Sequence, residues 1–293
     1  MNTSKTPTSL WRTGFDRLKQ NRLALVSGIF LLLMTLSALL TPWLTPYDYF
    51  VQNLQLGATP PSAAHWLGTD LLGRDLMTRL MYGSRISLAV GFLATGIALI
   101  IGVTWGLIAG WAGGATDNVM MRILDILYGI PFILFIILLT VVFGRSIWLL
   151  FLAIGAVEWM TIARIVRAQT ATLAHREFVL AATAMGVPQS QILMRHLFPN
   201  ILGPVILYAT LTIPNVIILE AFLSFLGLGV QPPQSSWGLL ISQGVESMET
   251  HPWLLIFPGI FFSLTLFALN FLGDGLRDAF DPRTSTSHNH NNE

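Results

Sequence analysis

The chain has 293 residues, of which 53% are hydrophobic and only 11% charged, and its formal net charge is +1. Most of such a chain cannot face water, so it reads as an integral membrane protein; near-neutrality without a basic stripe excludes a nucleic-acid surface. With no cysteine, neither disulfides nor thiolate metal sites are available, and packing in lipid has to hold the fold together.

In chain order, residues 1–22 form a polar segment bearing Lys5, Arg12, Arg17, Lys19 and Arg22. An apolar run over about 23–41 follows, ending at Thr41-Pro42-Trp43. It is too long for a signal-peptide core and lacks a small-residue cleavage site, so it reads as an uncleaved first span. Residues 42–85 form a long outside segment, in which Gly68, Thr69, Asp70, Gly73, Arg74 and Asp75 suit a compact loop held by hydrogen bonds. Further spans are expected at about 86–110, 119–143, 147–166, 201–223 and 252–273, since a crossing helix needs about 20 apolar residues. Six spans is the favoured count and five the alternative, because Glu158 lies in the fourth and Arg164 and Arg167 blur its end.

Ionisable residues inside spans are costly and usually have a task. Arg122 and Asp125, three apart, share a helix face and are expected to pair with each other. Glu158 and Glu220 have no evident partner nearby in sequence, so each either faces a path through the membrane or pairs with another helix. Trp43, Trp111, Trp148 and Trp253 fall near span ends, as interfacial anchors do.

Residues 167–200 form a loop between the fourth and fifth spans. Its stretch from Glu177 to Asn200 reads as helix, turn and helix: Leu180, Ala181 and Ala182 are helical, Gly186 ends the helix, a second helix starts near Gln189, and Pro199 opens the next apolar run. Small side chains here are expected to leave a shallow groove for a partner's ridge. After the fifth span, Gly227, Gly229, Pro232 and Pro233 break the helix. Irregular backbone at that depth is tolerated where it lines a cavity or is buried in protein, so the segment is either a gate element or an ordinary outside loop. The tail 274–293 is polar, its last ten residues are expected to be disordered, and His288 and His290 read as solvated. Orientation follows the positive charges: eleven Lys and Arg fall on one side and four on the other, which places both termini in the cytoplasm.

The Glu177–Asn200 stretch resembles the EAA loop of ATP-binding-cassette importer permeases, whose pattern is Glu-Ala-Ala, three residues, Gly, nine residues, then Ile, any residue, Leu, Pro. Ala181, Ala182, Gly186 and Pro199 fall on it in register; Leu180, His196 and Phe198 replace the Glu, Ile and Leu. The His65–Asp75 stretch and the Phe222–Pro233 stretch with Ser236-Trp237-Gly238 are similar to motifs of the oligopeptide, dipeptide and nickel subfamily, in its C-type subunit. The resemblance covers about residues 10–283. It implies an all-α polytopic protein of six transmembrane helices with the type I importer permease fold: a first helix, then a five-helix core over 86–273. It also implies a place in the bacterial inner membrane beside a sister permease, two ATPase subunits and an extracytoplasmic substrate-binding protein. Glu177, Leu180, Ala181, Ala182, Gly186, Pro199 and Asn200 would couple to the ATPase, with Thr183–Gln191 as the coupling helix. Residues 68–75 would face the binding protein, and the Gly227–Pro233 segment would gate.

No cofactor is expected in this chain. A P-loop is missing and the two lysines, Lys5 and Lys19, lie near the N-terminus, so the energy must come from another subunit. Cargoes open to such an architecture are peptides, glutathione, nickel chelates and antimicrobial peptides. A secondary transporter is a different class, disfavoured by the lack of an inverted repeat. An intramembrane enzyme would need a nucleophile or metal constellation, and none is seen.

Overall fold

The computed structural model describes residues 18–280; the tail with His288 and His290 and the first seventeen residues lie outside them. Nine helices are described: α1 (Arg22–Leu44), α2 (Leu76–Ala112), α3 (Gly114–Tyr128), α4 (Phe132–Phe143), α5 (Ile147–Ala174), α6 (Glu177–Ala184), α7 (Gln189–Phe225), α8 (Trp237–Glu246) and α9 (Trp253–Phe280). By length and composition α1, α2, α5, α7 and α9 can each cross a membrane, and α3 with α4 would make a sixth span.

Each departure from the sequence expectation has a local cause. The helix expected from residue 86 starts at Leu76, because the Asp75 carboxylate caps it by accepting from Thr78 N at 2.8 Å. The span expected at 119–143 is broken: α3 and α4 meet at an 80° bend over residues 129–131, where Pro131 offers no N–H and disfavours helix in the residue before it. The helix expected from 201 instead continues unbroken from Gln189 through Pro199. A π-helical turn over Ile192–Leu197 precedes that proline, and such a turn shifts the hydrogen-bond register where the ladder lacks a donor. Between Pro233 and Trp253, where no element is expected, Ser236 caps the short helix α8 by accepting from Leu239 N.

The dominant packing unit is the α2–α5 pair. Gly102, Gly106 and Gly110 recur every fourth residue along α2 and let the two backbones touch. A Cβ at these positions would stand 2.7 Å from the Trp159 carbonyl oxygen, 2.6 Å from that of Ala163 and 2.6 Å from that of Arg167. This is the close approach that small residues permit between membrane helices. Gly155 returns the contact from α5, where a Cβ would lie 3.1 Å from the Ala94 oxygen. α9 packs along α1, while α7 and α8 close on α2 and α9.

Two ion pairs tie α3 to α5. Arg167 holds Asp117 through both of its carboxylate oxygens, and Arg164 Nη2 donates to Asp125 Oδ1 at 2.9 Å while its guanidinium lies 4.6 Å from the Tyr128 ring centroid. The expected Arg122–Asp125 pair is therefore not formed: Asp125 turns to α5, whose close seat on α2 brings Arg164 within reach. Of the four tryptophans expected at interfaces, Trp43 and Trp148 are well exposed. Trp111 packs against the inner core instead, and Trp253 donates from Nε1 to the Thr69 oxygen at 3.2 Å.

Because a side chain at Gly106 would meet backbone that cannot retreat, Gly106→Leu should lower stability by about 1–3 kcal/mol or more. The check is the midpoint of thermal unfolding in detergent, with Gly96→Leu, where a Cβ meets open space, expected to change little.

Candidate functional site

Two sites lie at opposite ends of the α2–α5 unit. The first is the turn from α6 into α7. Glu177 sits in the first turn of α6, where an acidic side chain complements the helix dipole. Val179 and Ala182 point inward and join Ile192 and Leu197 in a core with Trp159 and Val166. Gly186 adopts φ +76°, and its N–H and that of Val187 donate to the Thr183 and Ala182 carbonyls at 3.0 and 3.1 Å, a glycine helix end of the Schellman type. Pro188 then opens α7. A short helix and a long one thus meet in a turn fixed from both sides.

That geometry corrects the expected surface. Ala182 is only 2% exposed, so it forms no groove, and Thr183–Gln191 is not one helix, because the turn over residues 185–188 divides it. What faces outward is Leu180, Ala181 and, at 76% exposure, Met185, with Phe178 and Met194 close by in sequence. The turn presents an apolar knob. Pro199 and Asn200 lie within α7, and Asn200 Nδ2 donates to the His196 carbonyl at 2.6 Å.

The second site is the segment between α1 and α2 together with the one after α7. Asp70 is its hub. Oδ1 accepts from the backbone N–H groups of Leu72 and Arg74, and Oδ2 from Arg74 Nε at 2.7 Å and Arg79 Nη1 at 2.6 Å. Arg79 is 1% exposed and also donates from Nη2 to Gln243 of α8 at 3.0 Å, while its Nε has no partner. Thr69 Oγ1 donates to the Gly57 oxygen and accepts from Thr59 N. Asp75 holds His65 Nδ1 at 2.9 Å besides capping α2. Gly68 and Gly73 have φ of +82° and +71°, and a Cβ on Gly73 would lie 2.0 Å from the Asn53 oxygen. All six residues expected to face a partner are therefore the frame of the loop, with Thr69, Asp70, Arg74 and Asp75 buried. Its exposed face is Phe50, Val51, Leu54, Trp66 and Leu71.

The glycine and proline segment after α7 joins this frame. Gly227, at φ +74°, ends the helix, and Gly229 lies so close that a Cβ would be 2.0 Å from Ser224 Oγ. Beneath it Glu220 is fully buried: Ser224 Oγ donates to Oε1 at 2.6 Å and Ser87 Oγ to Oε2 at 3.3 Å. Ser87 also accepts from Trp237 N, and Trp237 Nε1 donates to Ser84 Oγ at 3.1 Å. So Glu220 does have a partner nearby in sequence, the serine four residues on, as well as one on another helix. Pro232 and Pro233 follow in the turn that leads to α8. Sequence reading missed Arg79, Gln243 and the three glycines of α2; the spacing Gly102, Gly106, Gly110 is the signal that would have found the last. Among the described residues, no group of three or more His, Asp or Glu side chains is placed to hold a metal ion.

Residues 102–286 fit the model of the binding-protein-dependent transport system inner membrane component family, and residues 9–61 the N-terminal TM domain of oligopeptide transport permease C. The chain is 48% identical over 94% of its length, and 89% of the relative's, to the oligopeptide transport system permease protein OppC of Haemophilus influenzae. It is 45% identical to the dipeptide transport system permease protein DppC of Bacillus subtilis, covering 93% of this chain and 84% of that one. Among solved structures, a chain of the MetNI methionine ABC transporter in an inward-facing conformation superposes with a TM-score of 0.58 at 19% identity, covering 70% of this chain and 98% of that one. The fold is that of a type I ABC importer permease, and the chain is a transport subunit rather than an enzyme. By sequence and by fold, this chain belongs to the family of binding-protein-dependent transport system inner membrane components.

Proposed function

We propose that this chain is one of two permease subunits of an ATP-driven peptide importer, with the α6–α7 turn as the socket-filling element for an ATPase subunit in the cytoplasm. The observation that carries this reading is the pairing of an exposed apolar knob with a rigid mount. Leu180, Ala181 and Met185 project from a turn fixed by Gly186, and α7 runs from that turn for 37 residues to the outer frame. A push on the knob is delivered along a continuous helix rather than absorbed by a loop, as rocking between inward- and outward-facing states requires. Peptides as cargo are supported by the oligopeptide and dipeptide transport names of the relatives.

In the same reading both termini lie in the cytoplasm, and the segment between α1 and α2 faces the extracytoplasmic binding protein. Asp70, Arg74 and Arg79 hold it in shape while Trp66 and Leu71 make the contact. The lipid-like surface of α3 and α4, including Leu134, Leu138 and Val141, is left bare by the rest of this chain and is assigned to the sister permease. Gly227, Gly229, Pro232 and Pro233 stand at the outer end of the path, where the frame would have to yield for cargo to enter.

Placing charge on the knob should break docking. Leu180→Asp with Met185→Asp is expected to weaken association with the ATPase by about 2 kcal/mol or more, as loss of an interface hot spot does. That corresponds to roughly 30-fold, read as lost co-purification while the unfolding midpoint of the spans stays put. An unchanged stoichiometric ATPase would contradict the docking role. Since the chain has no cysteine, Met185→Cys is expected to label only from the cytoplasmic side; labelling from outside would reverse the orientation.

At the other end, Asp70→Ala strands a buried Arg79 and should cost about 3–5 kcal/mol, seen as protease cleavage of the loop. Trp66→Ala with Leu71→Ser should leave the loop intact and reduce only uptake driven by the binding protein. Equal sensitivity of the two variants to protease would refute the division between frame and face.

A further inference from the structure

α5 carries a polar stripe that neither site uses. Glu158, Thr161 and Arg164 recur every third residue and so lie along one side of the helix. The α2 contact falls on a different side, since Gly102, Gly106 and Gly110 press on the backbone of Trp159, Ala163 and Arg167. The stripe is consequently turned off the α2 interface, and its members remain accessible. Glu158 is half-buried, Thr161 is exposed, and the Arg164–Asp125 pair retains 42% and 54% side-chain exposure. Glu158 stands eleven residues past Ile147, about 16 Å along the helix axis, close to halfway across a hydrocarbon core of about 30 Å.

The carboxylate of Glu158 has no hydrogen-bond or ion-pair partner among the described residues. Its counterpart Glu220 is met by two serine hydroxyls, and Asp117 by Arg167. A lone carboxylate and an open ion pair facing lipid at this depth would be costly. The same groups against water are not, so the stripe marks an aqueous face.

We infer that Glu158, Thr161 and Arg164 line the water-filled path across the membrane, and that the unpaired Glu158 carboxylate is a passing station for cationic groups of the cargo. This rests on the transport reading above. The stripe descends from mid-span toward the α3 ion pair, with Arg164 neutralised by Asp125, so that Glu158 is the one free charge on it. A single free negative charge attracts an ammonium or guanidinium and gives nothing to a neutral side chain, which makes the residue selective rather than structural.

The experiment uses the assembled complex with its sister permease, ATPases and binding protein, reconstituted in vesicles. In the first arm, Thr161→Cys is expected to react with a hydrophilic thiol reagent, whereas Leu152→Cys, exposed on another side of α5, is not. An unreactive Thr161→Cys overturns the inference. In the second arm, E158Q should slow uptake of a lysine-containing tripeptide by about fivefold or more relative to a neutral one of equal size, the scale of one charge pair at contact distance in water. Glu158→Asp should restore it. If E158Q slows both peptides equally, the carboxylate favours no cationic side chain and the selectivity claim falls. Should E158Q fail to assemble, the labelling arm, which keeps Glu158, decides whether the stripe faces the path. A wild-type complex that carries neither peptide would sink the peptide reading instead, and that result is separate because labelling does not depend on cargo.

Discussion

The backbone contact between α2 and α5 is the constraint on which the other features depend. Three glycines spaced by four allow the helices to meet at carbonyl distance over about two turns, where dispersion and weak polar contacts replace the hydrophobic drive that is missing in lipid. That contact fixes the rotation of α5. It thereby decides that Arg167 and Arg164 reach back to Asp117 and Asp125 of α3 and that Glu158 and Thr161 are turned away from α2. At the same time it carries the inner core, in which Trp159 and Val166 of α5 pack with Val179, Ala182 and Ile192 near the α6–α7 turn.

The end at the start of α2 is held by different physics. Here charged and hydroxyl groups are buried, and each needs a partner to offset its desolvation. Asp70 gathers four donors and ties the loop before α2 to α2 itself, and Arg79 extends the tie to Gln243 on α8. Ser84, Ser87 and Glu220 carry the network under Trp237 to the end of α7. Two stretches more than a hundred residues apart in sequence thus form one frame. Buried polar networks of this sort are stiff when every member is satisfied, and Arg79 Nε is the atom at which this one is incomplete. α7 joins that frame to the turn at its other end.

Composition and hydropathy alone determined the class, an all-helical membrane protein with five or six spans, because burying backbone in lipid leaves helices as the economical solution for a chain of this makeup. Local chemistry settled the punctuation as well: the glycine that ends α6 and the turn residues at 68–75 and 227–233 were legible because positive φ and proline geometry are properties of single residues. Register and partnership were not legible. The pairing of Asp125 with Arg164 instead of Arg122, the inward turn of Ala182, the hub at Glu220 and the extension of α2 back to Leu76 all depend on which helices stand side by side. Periodicity specifies a face but not its neighbour. Only the tertiary structure could show that in the α6–α7 stretch Ala182, Val179 and Ile192 serve packing while Leu180, Ala181 and Met185 meet the surface, since exposure belongs to the assembled helices and not to the residue type.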